Sequence, residues 1–518
     1  MSRAFRMNHE TAVVSTDAGT LQGYFDNDLY IFKGIPYAKA KRFHDPQPVT
    51  PWTGVRNCTS YGYVCPLLSM SEPAGELLVP HRYWVMNENC LNLNVWTQGL
   101  DDHKRPVVVW LHGGGYEAGS AIEQVAYEGE NMARLGDVVV VSINHRLNIL
   151  GYLDLSDFGD QYANSGNAGT TDMIAALKWI HDNIASFGGD PDNVTLFGQS
   201  GGGGKVTALL QTPAADGLFH KGLIMSGVLD SNLLPECEGS GKEAVLAIMK
   251  ELGISSVSEL ETVPYDRMAQ AYNKVRPDLN KRGLNNGGSP HPNEFYAGEP
   301  LKNGFRKETS EIPLIVGSVF GEFTGFAPTA YDKNILSLDE QKALLEKTLG
   351  PAAGQLIPLF EKAYPERKLI DLIQLDTIFR KPSIEYVRKR AKLNDKTWTY
   401  LFNMDSDLND GTVPWHCSDI PYVFHNCEYV PTQDSDPDRI LEEKIFDAFM
   451  NFVKTGDPNT DKLPEWPAST PDQEYTMVLD QGPRVKVNFD HQLEEAGGDL
   501  LAAAAFSALS QNPDSVQH

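Results

Sequence analysis

The chain has 518 residues, of which 41% are hydrophobic and 22% charged, and it carries a formal charge of −25. That length exceeds one small core but suits one elaborated α/β domain, expected over residues 1–518 with frayed ends at 1–10 and 511–518. The charge repels phosphate backbones and argues against nucleic acid as a partner, and no apolar run reaches the roughly 20 residues that a membrane span requires.

The opening MSRAFRMNHETAVV has basic residues but no sustained apolar stretch, so no secretory signal is visible. The expected compartment is the cytoplasm, or the exterior if a leader has been removed. The cysteines Cys58, Cys65, Cys90, Cys237, Cys417 and Cys427 are too sparse to indicate a disulfide scaffold.

Residues 13–38 alternate apolar and polar side chains around the turn signals Asp17-Ala18-Gly19 and Asp26-Asn27-Asp28, which predicts a small antiparallel meander. Residues 57–89 lose periodicity, and a stretch of that kind in a compact enzyme forms a loop over the site. LNLNVW at 91–96 and PVVVWL at 106–111 are strands, and VVVVSI at 138–143 is a β-branched run suited to burial on both faces. A helix is expected between the last two, over 123–136. Another spans 172–187, with Met173, Leu177, Ile180 and Ile184 on one face and a stop at Gly188-Gly189.

Residues 194–197 form a short strand, glycines follow, and Val206, Leu209 and Leu210 resume at helical spacing. Further strands fall at 223–227, 312–317 and 397–402. The alternation of strands and helices predicts a mostly parallel α/β sheet flanked by helices. Helices at 243–252 and 338–349 are insertions over that sheet. An amphipathic helix spans 441–454, and LLAAAAFSALS at 500–510 is a helix by propensity.

Gly198-Gln199-Ser200-Gly201-Gly202 fits the G-x-S-x-G elbow, in which small neighbours let the backbone turn sharply and lift the serine above the sheet. Taken alone, the pentapeptide reads equally well as a glycine-rich loop with a surface serine. A serine hydroxyl needs a base within hydrogen-bond reach, and the base needs an orienting carboxylate. Sites in open α/β sheets gather at the carboxyl ends of the strands, which favours His416, in the loop after 397–402, over His425, His220 and His181. Glu322, just after 312–317, is the matching acid; Asp405, Asp407 and Asp410 are its alternatives. The Asp405–Asp410 loop does not have calcium-loop spacing, because Gly411 falls one position late. Leu111-His112-Gly113-Gly114-Gly115-Tyr116 follows a buried strand. Its backbone N–H groups, with the one after Ser200, would form an oxyanion hole.

With these segments in view the chain resembles the type-B carboxylesterase and cholinesterase-like family of α/β-hydrolases. The resemblance runs from about Val13 to about Met477 through FKGIPYA (32–38), Arg42-Phe43, NENCLNLNVW (87–96), WLHGGGY, NHRL (144–147), the 166–203 block, DIPYVF (419–424), NFVKTGDPN (451–459) and Trp466-Pro467. It implies a large mostly parallel sheet with an N-terminal antiparallel meander and insertions that form a gorge. Ser200, Glu322 and His416 are implied as nucleophile, acid and base, and Gly114, Gly115 and Gly201 as oxyanion donors. A small-molecule ester is the implied partner, with no cofactor and no metal. The function implied is that of a serine carboxylic-ester hydrolase working through an acyl-enzyme on small to medium, mostly neutral esters. The alternatives are a lactone, carbamate or amide hydrolase with the same triad, or a non-catalytic cholinesterase-like binding protein.

The resemblance also implies structural ion pairs Arg42–Glu88 and Arg146–Asp172, and a bridge between Cys65 and Cys90 that would stay reduced in a reducing compartment. Cys237 has no evident partner, and Cys417 and Cys427 are expected as buried thiols. His416, Cys417, His425 and Cys427 could suggest zinc, but the family pattern accounts for His416 better. Gln199 and Gly201 stand where the family commonly has glutamate and alanine, which removes a charge beside the nucleophile and weakens a cholinesterase reading. Tyr83 and Trp84 are expected as an aromatic wall for neutral esters, and 65–90, 290–297 and 323–331 as pocket segments. Neither the physiological ester nor the oligomeric state follows from the sequence.

Overall fold

Runs of β-branched and aromatic residues pair into one twelve-stranded sheet in the computed structural model, which describes residues 4–70, 75–229, 239–327, 329 and 331–497. In chain order its strands are β1 (Phe5–Arg6), β2 (Tyr24–Asp26), β3 (Leu29–Pro36), β4 (Asn92–Thr97), β5 (Arg105–Leu111), β6 (Val139–Ile143), β7 (Gly189–Gln199), β8 (Lys221–Met225), β9 (Leu314–Val319), β10 (Thr397–Phe402), β11 (Tyr475–Leu479) and β12 (Arg484–Val487). They lie in the order β1-β2-β3-β4-β6-β5-β7-β8-β9-β10-β11-β12. The seven from β6 to β11 are mutually parallel. The N-terminal strands and β12 are antiparallel.

Both faces of the sheet are covered, and the two-residue period of β5 shows it. Val107, Val109 and Leu111 join the core on one face, with Met173, Leu177 and Ile180 of helix α1 (Ala168–Asn183). Val108 and Trp110 join the other, with Phe446, Phe449 and Phe452 of helix α3 (Asp436–Thr455). Each such side chain contributes roughly 1.5–3 kcal/mol by leaving water. Between these helices in the chain lies α2 (Gly201–Leu210), directly after β7.

The N-terminal meander divides in two. Val13–Thr16 and Gly19–Gln22 pair with Val55–Asn57 in a separate small sheet, whereas the hairpin β2–β3 joins the main one. Phe5 and Arg6 pair with Asp26 and Phe25 at the sheet edge. The expected helix at 123–136 is broken: a short turn at Val125–Tyr127 and a helix at Glu130–Gly136 flank Gly129. A side chain at Gly129 would collide with Trp96, so the chain must pass there without one. The 338–349 helix forms as expected at Leu338–Leu349, under a capping box from Ser337 and Glu340. The helix read at 500–510 and the tail 511–518 lie outside the described residues.

Candidate active site

The parallel register brings the ends of β5, β7, β8, β9 and β10 level. Leu111 pairs with Gly198, Gln199 with Met225, Met225 with Gly317, and Val319 with Phe402. Ser200 follows at once, at φ 57° and ψ −127°, between the last residue of β7 and the first of α2. Its N–H donates to the Met225 carbonyl (2.8 Å) and its carbonyl accepts from the Gly204 N–H (3.0 Å), which pins the turn. Two glycines make that turn possible. A Cβ on Gly202 would overlap the Leu111 carbonyl, and one on Gly201 would overlap the Gly115 backbone.

Glu322 lies three residues past β9, also at positive φ (39°). Its Oε1 accepts from the Ser226 hydroxyl (2.5 Å) and the Val319 N–H (2.7 Å). Its Oε2 meets His416 Nδ1 in a short contact, and the His416 N–H donates to the Glu322 carbonyl (2.9 Å). Phe323 and Phe379 pack on the imidazole with ring centroids 4.4 and 5.1 Å away. Burial pushes the Glu322 carboxyl up and the His416 imidazole down, away from their charged forms. The carboxyl meets Nδ1, and Nε2 is the ring nitrogen that it does not engage. The Gln199 amide nitrogen lies 3.2 Å from that Nε2, and the Cys417 thiol donates to the Gln199 carbonyl oxygen (3.2 Å).

The glycine run after β5 faces this group. Gly114 and Gly115 have φ of 79° and 62°, backbone space that glycine enters without strain. The Gly114 carbonyl is engaged by Glu117 and Ala118, while no acceptor among the described residues takes the N–H of Gly114 or Gly115. Gly201 opens α2, so its N–H is one of the four that a helix start leaves unpaired. Unengaged backbone N–H groups of this kind can hold an oxygen that becomes negative during reaction.

The competing residues are engaged elsewhere. His425 contacts Glu443 (2.9 Å), His181 lies beside Asp182 (2.9 Å), and His220 accepts from the Val194 N–H (3.1 Å). Asp405 is bound by Arg367 and Lys333, each at 2.8 Å, and Asp407 is exposed. The side chain of Asp410 lies outside the described residues. Arg42–Glu88 (2.8 Å) and Arg146–Asp172 (2.7 Å) form ion pairs. Cys65 and Cys90 are buried free thiols in mutual contact, and Cys237 lies outside the described residues. One set of metal-ligand geometry occurs among the described residues, at Glu474, Asp490 and His491. The Arg380 guanidinium already fills it, binding Glu474 (2.8 Å) and Asp490 (2.7 Å).

Sequence reasoning missed Ser226, Phe379 and the Gln199 contact. Ser226 had a signal, a polar residue at the end of a strand beside the elbow. Phe379 had none, because its approach to His416 depends on chain folded from a distant segment.

The sequence matches the Carboxylesterase family over residues 10–496. Among its relatives is the para-nitrobenzyl esterase of Bacillus subtilis (strain 168), 33% identical over 92% of this chain and 95% of that one. Another is the phenmedipham hydrolase of Pseudarthrobacter oxydans, 32% identical over 91% and 96% of the two chains. Among solved structures, an esterase from anaerobic Clostridium hathewayi that can hydrolyze aliphatic aromatic polyesters superposes with a TM-score of 0.93. It is 49% identical over 96% of this chain and 99% of that one. The agreement extends over nearly the whole sequence and the whole sheet, so the chain belongs to the carboxylesterase family of α/β-hydrolases and is a carboxylesterase, an enzyme that hydrolyses carboxylic esters.

Proposed function

We propose that Ser200, His416 and Glu322 carry this hydrolysis as nucleophile, base and acid, with the N–H groups of Gly114, Gly115 and Gly201 as the oxyanion hole. The observation that carries the reading is the buried Glu322–His416 contact, at the same sheet edge as a serine held at positive φ. His416 Nε2 takes the Ser200 proton as Oγ attacks the ester carbonyl carbon, and Glu322 holds the imidazolium that forms. The carbonyl oxygen becomes an oxyanion held by the three N–H groups. When the tetrahedral intermediate collapses, the ester C–O bond breaks and His416 returns the proton to the departing alcohol. His416 then takes a proton from water, whose oxygen attacks the acyl-enzyme and releases the acid and free Ser200.

The substrates are small to medium, mostly neutral esters. Gln199 supports this reading, since it puts an uncharged amide where a carboxylate would favour cationic alcohols. Carbamate hydrolysis by the same triad is a second reading, supported by the 32% identity to a phenmedipham hydrolase. Ser200→Ala tests the triad on p-nitrophenyl acetate. Turnover per folded protein is expected to drop by about 10⁴-fold or more at an unchanged melting temperature. Undiminished hydrolysis by a folded variant rules the assignment out.

A further inference from the structure

Beneath the glycine run lies a lysine that the reaction just described does not use. Lys205 stands five residues after Ser200 on α2, and its side chain is fully enclosed at 0% exposure. Its Nζ donates to the main-chain carbonyl of His112, 2.8 Å away. That carbonyl belongs to the peptide that enters Gly113-Gly114-Gly115. No carboxylate lies within ion-pair distance of Nζ among the described residues. Burial pushes the ammonium down to about 7, and the charge of Glu123 pulls the other way.

The surroundings give the lysine little else to do. His112 and His145 stack at 5.1 Å, and each turns its Nδ1 to a neighbouring carbonyl, of Gly113 and Arg146. The Glu123 carboxyl borders Gly119, whose missing side chain leaves room for the His112 ring. A long cationic side chain enclosed without a salt bridge is costly, and a methionine would fill similar space without that cost. What lysine adds is a donor aimed at one carbonyl. That carbonyl sits at the hinge between β5 and the glycine run.

We propose that Lys205 is a positioning residue for the oxyanion hole. It ties the second turn of the helix that follows Ser200 to the His112–Gly113 peptide, so that nucleophile and glycine N–H groups keep one fixed separation. The inference rests on Gly114 and Gly115 being the oxyanion donors. Glycine peptides explore a wide range of dihedrals, and a hole stabilises charge only if its dipoles are already aimed where that charge forms. The tie therefore acts on the transition state and leaves ground-state binding of the ester unaffected.

The test compares Lys205→Met and Lys205→Gln with the wild-type enzyme on p-nitrophenyl butyrate. Folded sites are counted by the p-nitrophenol burst, and a trifluoromethyl ketone, which forms a hemiketal with the nucleophile, serves as the transition-state mimic. The expected result is a fall in kcat of about 10- to 10²-fold for Met and a smaller fall for Gln, with KM within twofold. Ketone affinity should weaken by the same factor as kcat. Wild-type kcat in Lys205→Met overturns the proposal. So does a loss of activity in which KM rises alongside an unchanged ketone affinity, the mark of a merely structural role. Should Lys205→Met not fold, wild-type kcat and ketone affinity in Lys205→Gln overturn it instead. Failure of the oxyanion reading itself would appear in the wild-type enzyme, as a ketone that binds no better than the substrate.

Discussion

Ser200 occupies backbone space that costs an L residue about 1–3 kcal/mol, and it is held there by main-chain bonds on both sides. Glu322 and Ser226 are likewise at positive φ, at 39° and 44°. Three residues with side chains in the left-handed half of the map, at the ends of three adjacent strands, place the strain at the candidate site. Ser226 illustrates the consequence. Its hydroxyl is one of two donors on Glu322 Oε1, and leaving a buried acceptor without a partner costs about 1–3 kcal/mol. Ser226→Ala leaves Glu322 freer to turn away from His416. We expect kcat to fall about 10- to 10²-fold with little change in KM, measured by steady-state hydrolysis of a p-nitrophenyl ester. An unchanged kcat would mean that the Val319 N–H holds the carboxylate on its own.

At the scale of elements, β5 with its glycine run and β7 with α2 behave as one unit, because Gly201 packs on the backbone of Gly115 without room for a side chain. Gly201→Ala must drive the two apart. The expected outcome is a loss in kcat approaching that of one oxyanion donor, about 10²-fold, at a nearly unchanged melting temperature. Activity equal to wild type would show that the helix start can slide without disturbing the hole. The same elements explain what the sequence could reveal. β5 and β6 were legible because burial on both faces leaves an unbroken β-branched run. The first turn of α3 was not, since its apolar face begins at Leu441 while the helix begins at Asp436 under a cap from Ser435 and Asp438. The break at Gly129 is set by Trp96 on another strand, and no local pattern carries that information. In the candidate site, Ser200 and the glycine run announce themselves by composition. The roles of Ser226, Phe379 and Lys205 arise from contacts made only after folding.

Across the whole molecule, chemistry-bearing residues from segments far apart in sequence meet at one edge because seven parallel strands end there together. Remote from that edge, Arg380 binds Glu474 and Asp490 in a fully buried network that joins the helix at Arg380–Arg390 to the C-terminal strands. Whether Ser200 is the residue that attacks is decided by reacting the intact enzyme with a fluorophosphonate and locating the adduct by mass spectrometry. One adduct per chain is expected, on the peptide that contains Ser200, with esterase activity lost in the same proportion. An adduct on another residue, or ester turnover that persists after Ser200 is fully modified, would contradict the assignment.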